Sequence, residues 1–184
     1  LRESWSPRRA PTVRFTNNVL GYSIIDGEGI WTEVTDEKEV KAEDPAADKY
    51  FTARIKQRGS DFPLEASLVI LVLDATEEDP LEQARKYVEE RENRDVENRG
   101  KTVFETHHED ASFDAANPVE GDAPYVLFKG RNSVSQRSFL WAVSAIRLGK
   151  KVVVASATCS FTPAEREKFE RKFVVLVRSL RAGE

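Results

Sequence analysis

Residues 66–73 form a nearly unbroken apolar run with Val69, Ile70, Leu71 and Val72 at its centre. The run is far too short to span a bilayer, which takes about 18–20 residues. It also lacks the polar alternation of a half-buried strand, so it predicts a central strand buried on both faces. Such a strand needs a layer above it and another below, and the rest of the chain can be read for what supplies them.

Two helices announce themselves. Asp79, Pro80 and Glu82 are an N-cap, a first-turn proline and the closing member of a capping box. Leu81, Ala84 and Val88 give that helix an apolar stripe, and Glu82 stands four residues before Lys86 as a favourable pair. Thr162, Pro163 and Glu165 repeat the capping pattern near the end of the chain. Phe169, Phe173, Leu176, Val177 and Leu180 follow at three- and four-residue spacing. Burying these five side chains contributes on the order of 10 kcal/mol gross, so this helix must pack on a sheet. Gly183 stands where its C-terminal cap is expected.

The other segments read as strands and turns. Residues 50–57 alternate, with Phe51, Ala53 and Ile55 on one face and Thr52, Arg54 and Lys56 on the other. Leu148-Gly149-Lys150-Lys151 joins two apolar segments, residues 139–146 and 152–158, as a hairpin. On the first of these Phe139, Trp141, Val143 and Ala145 share one face, while Leu140, Ala142, Ser144 and Ile146 share the other. Shorter strands are expected at 13–16, 21–25, 102–107 and 125–129. Residues 35–48 and the acidic stretch 111–122 are expected to be surface loops. The order β-β-β-β-α-β-β-β-β-α is that of an α+β fold with an antiparallel sheet, since strict β-α alternation is missing. One globular domain over residues 13–184 is expected, preceded by an arm or linker over residues 1–12.

Composition narrows the function classes. Charged residues make up 33% of the chain, but 28 Lys and Arg nearly balance 32 Asp and Glu, for a net charge of -4. That balance gives no electrostatic reason to expect a nucleic-acid partner. Cys159 is the only cysteine, so no internal disulfide and no cysteine metal cluster can form. The chain contains no Met and begins at Leu1. The expectation is a processed or excised piece whose signal peptide or membrane anchor lies upstream.

No residue pattern writes out a catalytic centre. His107 and His108 would point to opposite faces of a strand and would need two further ligands to hold zinc, so a solvated strand end is expected. No Gly-x-Ser-x-Gly elbow occurs, Gly149-Lys150 lacks the upstream glycine of a phosphate loop, and Cys159 reads as a buried small hydrophobe. No catalytic, metal or cofactor site is therefore assigned. The candidate interface residues are Trp5 in the arm, Trp31 after the Gly27-Glu28-Gly29 turn, and a basic group of Arg131, Arg137, Arg147, Lys150 and Lys151 around the late hairpin. Trp141, alternating with Phe139 and Val143, is expected in the core.

Three segments carry a family resemblance. The first is Arg14-Phe15 followed by Gly21-Tyr22-Ser23-Ile24 and Trp31. The second is Ala145-Ile146 leading through Gly149-Lys150-Lys151 to Val152-Val153-Val154-Ala155-Ser156. The third is the closing helix after Thr162-Pro163, ending at Ser179-Leu180. In order and rhythm the chain resembles the PsbP-like family, whose fold is shared with a Ran-binding nuclear transport factor and small bacterial lipoproteins. It departs from that pattern at Gly27-Glu28-Gly29-Ile30, where the family places a proline before the Trp. The resemblance implies an α/β/α sandwich around a central antiparallel sheet. It also implies a non-catalytic protein-binding or accessory domain, the soluble part of an exported or membrane-anchored bacterial protein. The alternative is a small-ligand or hydrolytic domain with a pocket between sheet and helix. No manganese or calcium role carries over, because no ligand residues match.

Overall fold

The run at residues 66–73 sits inside strand β5 (Leu64–Asp74), hydrogen-bonded on both sides in a computed structural model that describes residues 13–57, 59–106, 123–160 and 166–183. The strands before it are β1 (Val13–Asn17), β2 (Tyr22–Asp26), β3 (Thr32–Glu33) and β4 (Ala47–Ile55). Those after it are β6 (Thr102–Thr106), β7 (Tyr125–Asn132), β8 (Ser138–Leu148), β9 (Lys151–Ser160) and β10 (Arg181–Ala182). Helices α1 (Glu37–Glu43), α2 (Pro80–Glu92), α3 (Val96–Arg99) and α4 (Arg166–Arg178) complete the described elements.

Seven strands form one antiparallel sheet in the order β3-β4-β5-β9-β8-β7-β6. The hairpin at Gly149-Lys150 joins β8 to β9 with a two-residue loop, and Gly149 takes the positive φ of 61° that a first loop position demands. The alternating faces of β8 separate as its sequence predicts. Leu140 and Ala142 pack with Phe169, Phe173 and Val177 of α4 on one face of the sheet. Trp141, Val143 and Ala145 pack with Ala84 and Val88 of α2 and Val40 of α1 on the other. The result is an α/β/α sandwich.

A second antiparallel sheet, β1-β2-β10, lies on the α4 side and adds Tyr22 and Ile24 to that core. The Phe15 ring meets Phe51 at 4.3 Å between centroids. The Tyr22 hydroxyl donates to Asp48, and burial, followed by that carboxylate, pushes the phenol above its usual range. The Ser179 hydroxyl oxygen accepts from the Ile25 N–H at 2.8 Å and ties the end of α4 to β2.

Four local expectations are corrected. Residues 35–48 are not simply a loop, because they contain α1, capped by Asp36, whose side chain accepts from the Lys38 N–H at 2.8 Å. One buried apolar residue in seven, Val40, is too little for a visible stripe. Gly183 is not the cap of α4. The helix ends at Arg178, β10 pairs with β2, and the Gly183 N–H donates to the Gly21 carbonyl at 2.8 Å. Glu82 is held by the guanidinium of Arg85 rather than by Lys86, which pairs with Glu78. The planar guanidinium reaches Glu82 and Glu89 together, each through a different terminal nitrogen. Trp31 is 8% exposed, with its ring 6.1 Å from Phe173, so most of it belongs to the core.

Candidate functional site

Helix α2 is shorter than the sheet face it covers. Its buried residues lie over Val69, Leu71, Val143, Val152 and Val154, the part of the face nearer the Gly149 hairpin. Toward the other end no helix among the described residues covers the sheet, and a cavity of about 590 Å³ opens there. Strand register fixes its floor. Thr52 of β4 pairs with Ser67 of β5, Ser67 with Thr158 of β9, and Thr158 with Trp141 of β8. Three hydroxyls thus stand in a row across adjacent strands. The Thr158 hydroxyl is buried without a hydrogen-bond partner.

Charged and aromatic side chains rim this floor. Arg54 and Glu65 are exposed and directly opposite one another, and across the groove stand Arg137 and Phe139. The loop between β4 and β5 contributes Pro63. Tyr50 closes the side toward α1. Its phenol is held above the usual range by burial and then by the Glu43 carboxylate.

Phe139 also lines a neighbouring cavity of about 620 Å³ between α1, the C-terminal end of α2, α3 and the β7–β8 turn. A polar network braces that wall. Asp44, whose carboxylate is fully buried, accepts from the Tyr87 hydroxyl and the Ala46 N–H, each at 2.8 Å. Its other oxygen pairs with Arg91 at 2.9 Å and with Arg94 at 3.3 Å. Arg91 continues to Glu43, and the Arg94 guanidinium lies 5.0 Å from the Tyr87 ring centre. Burial holds the Glu92 carboxyl above its ordinary range even though Arg91 is close. The Trp141 indole N–H, buried without a geometric hydrogen-bond partner, is near enough to Glu92 to oppose that rise slightly.

A third concavity, about 740 Å³, lies between the β2–β3 loop and α4. Asp26 builds the loop. Its oxygens accept from the N–H groups of Glu28, Gly29 and Trp31 at 3.1, 2.9 and 2.9 Å. Ile30, Trp31, Val175 and Leu176 make an apolar lining, and Lys172 pairs with Glu28 across the opening.

The basic residues that the sequence groups around the late hairpin do not share one surface. Arg131 and Arg137 flank the start of β8, whereas Arg147, Lys150 and Lys151 lie at its far end. An eleven-residue strand separates the two ends by roughly 35 Å. Lys151 is paired with Asp74 and Arg147 donates to the carbonyls of Gly149 and Thr76. Only Arg137 of this set lines the open sheet face. Trp5, His107, His108, residues 111–122 and the second capping box at 162–165 lie outside the described residues. Cys159 is buried, and burial pushes its thiol up to about 12. No group of three metal-ligating side chains occurs among the described residues. The residues that sequence reasoning passed over are Tyr50, Thr52, Arg54, Ser67 and Thr158. Their signal was available in the small polar residues Ser156, Thr158 and Ser160 alternating with apolar neighbours on β9.

No family model and no curated protein matches the chain. Solved structures do. The Ran-binding protein Mog1p of Saccharomyces cerevisiae superposes with a TM-score of 0.58 at 15% identity, over 94% of this chain and 95% of that one. The chain has the Mog1/PsbP fold. A point mutant of Mog1 gives 0.56 at 14% identity, covering 95% of this chain and 97% of the other. LpqN, involved in cell envelope biogenesis of Mycobacterium tuberculosis, gives 0.46 at 11% identity, covering 95% and 91%. The Mog1/PsbP fold accounts for the sandwich and the antiparallel sheet; the groove residues are a matter for this chain's own chemistry.

Proposed function

We propose that this domain is a non-catalytic protein-binding module that engages its partner across the open half of the sheet face. The observation that carries the reading is the floor itself. Where α2 ends, the sheet face changes from valine and leucine to the hydroxyl row Thr52, Ser67 and Thr158, rimmed by Tyr50, Phe139 and two arginines. A face meant for another helix would stay apolar, whereas aromatic and arginine side chains around a polar floor are the make-up of a non-obligate interface. The same fold in a Ran-binding protein is in keeping with this reading. No described helix is long and apolar enough to cross a membrane, so a helical anchor of the kind expected from the sequence would have to lie outside the described residues.

A second reading rests on the Trp31 cleft, whose apolar lining and few charged rim groups suit a small ligand or a single partner side chain. Parallel captures from native lysate separate the two, using the wild-type chain, Ser67→Tyr to fill the groove and Val175→Asp to spoil the cleft. A protein retained by the wild type and by Val175→Asp but lost from Ser67→Tyr supports the groove. Loss only from Val175→Asp moves the function to the cleft, and an unchanged captured set for Ser67→Tyr overturns the groove reading.

A further inference from the structure

The groove's charges are few and unusually free. Arg54 on one rim and Arg137 on the other have neither an ion pair nor a side-chain hydrogen bond among the described residues. Each is exposed, and no residue of the sandwich needs either of them. Between them lies a single acid, Glu65, which faces Arg54 across the β4–β5 pair without closing a salt bridge. The row Arg54, Glu65, Ser160, Phe139 crosses four adjacent strands, so its ends are about 14 Å apart at three inter-strand spacings. Arg137 is two residues before Phe139 and on the same face, about 7 Å further along the chain, so the two arginine backbones are about 16 Å apart. An extended chain comes within reach of that separation, because the long arginine side chains can lean inward by the remaining few ångströms. Same-side residues four apart in sequence are about 13 Å apart at roughly 3.3 Å per residue.

We infer that the groove takes an extended acidic peptide segment of a partner protein, laid across the strands with carboxylates four residues apart on Arg54 and Arg137. The inference rests on the open sheet face being the binding surface. Between its acidic residues such a segment crosses Ser67, Thr158 and Ser160. There its backbone and small polar side chains meet groups that both donate and accept, the hydroxyls of Ser67 and Ser160. Phe139 supplies the one apolar contact on that path. Glu65 works against the ligand's charge, and this makes the sign of the proposal testable, because an acidic segment gains when Glu65 is neutralised and a basic one loses.

The probe is a fluorescent peptide of about nine residues, Ser- and Thr-rich, with Glu at its third and seventh positions. Counterparts carry Gln or Lys at both places. Fluorescence anisotropy against the full chain is expected to show binding of the Glu peptide that weakens as salt is raised. Arg54→Gln and Arg137→Gln should each weaken it about fivefold, and Glu65→Gln should strengthen it about threefold. All three side chains are exposed, so unchanged melting confirms that the variants fold. Tighter binding of the Lys peptide, weakening by Glu65→Gln, or displacement of the peptide by an oligonucleotide or an anionic vesicle that itself needs both arginines overturns the inference. Failure of the Glu peptide while Ser67→Tyr still abolishes partner capture sinks the acidic segment and leaves the binding surface standing. Failure of both sinks the surface as well.

Discussion

The wall of the cavity beside the groove depends on one buried carboxylate, and replacing it is a quantitative test. Asp44→Asn keeps the side-chain shape. With its amide oxygen at the Oδ1 position, it still accepts from the Tyr87 hydroxyl and the Ala46 N–H. It puts an NH2 group where Arg91 Nε and Arg94 donate at 2.9 and 3.3 Å, so two charge-assisted bonds become donor facing donor. Arg91 is only 12% exposed and loses its most buried counter-charge, although Glu43 and Glu92 remain beside it. Breaking a buried pair costs about 3–5 kcal/mol, and the surviving acids place this one near the low end, about 3 kcal/mol. For a chain of this length that is a fall in Tm of roughly 6–12 °C. Arg94 is 47% exposed, so Arg94→Gln should cost less than about 1 kcal/mol. Urea unfolding followed by circular dichroism, with calorimetry for Tm, measures both. Amide exchange should also show α1 opening faster in Asp44→Asn. An Asp44→Asn chain melting within about 2 °C of the wild type, or an equal loss for Arg94→Gln, refutes the argument that burial makes this carboxylate the keystone.

Three further outcomes follow from the same physics. Glu92→Gln should raise Tm at neutral pH, because the folded chain holds that carboxyl above its ordinary value of 4.5 and ionising it there costs stability. That advantage should shrink as pH falls through the folded pKa and vanish below 4.5, which paired melts at pH 7 and pH 4 will show. Cys159, pushed up to about 12 and buried, should resist iodoacetamide at pH 8 in the native chain and react readily in denaturant, as mass spectrometry of the alkylated protein would record. Gly130→Ala should destabilise by about 1–3 kcal/mol in urea unfolding, since the new methyl would lie 2.9 Å from Trp141 Cζ3 and 3.1 Å from the Val103 carbonyl oxygen.

Much of the sandwich was legible because its elements are patterned over many residues. The apolar run of β5, the two faces of β8 and the stripe of α4 each repeat a period often enough to be unambiguous. What escaped was short or held by tertiary partners. Helix α1 buries only Val40, and β3 and β10 are two residues each, so none carries a period. The groove was legible only in its parts. Arg54 and Thr52 were visible as the polar face of β4, and Ser156, Thr158 and Ser160 as polar alternates of β9, but nothing local says that β4, β5 and β9 are neighbours in register. The basic cluster failed for the converse reason. Its members are near in sequence but not in space, because an eleven-residue strand carries them to opposite ends of the sheet.

The pairing of β2 with β10 sets an order on biosynthesis. Ile25 finds the Ser179 oxygen across 154 positions, so the β1–β2 hairpin waits on the ribosome for β10 before its second edge is satisfied. Contacts of such separation slow folding and leave an unpaired strand edge open to other chains in the meantime. Nascent chains stalled before residue 179 are therefore the species most exposed to mispairing, and the emergence of β10 is the step that ends the exposure.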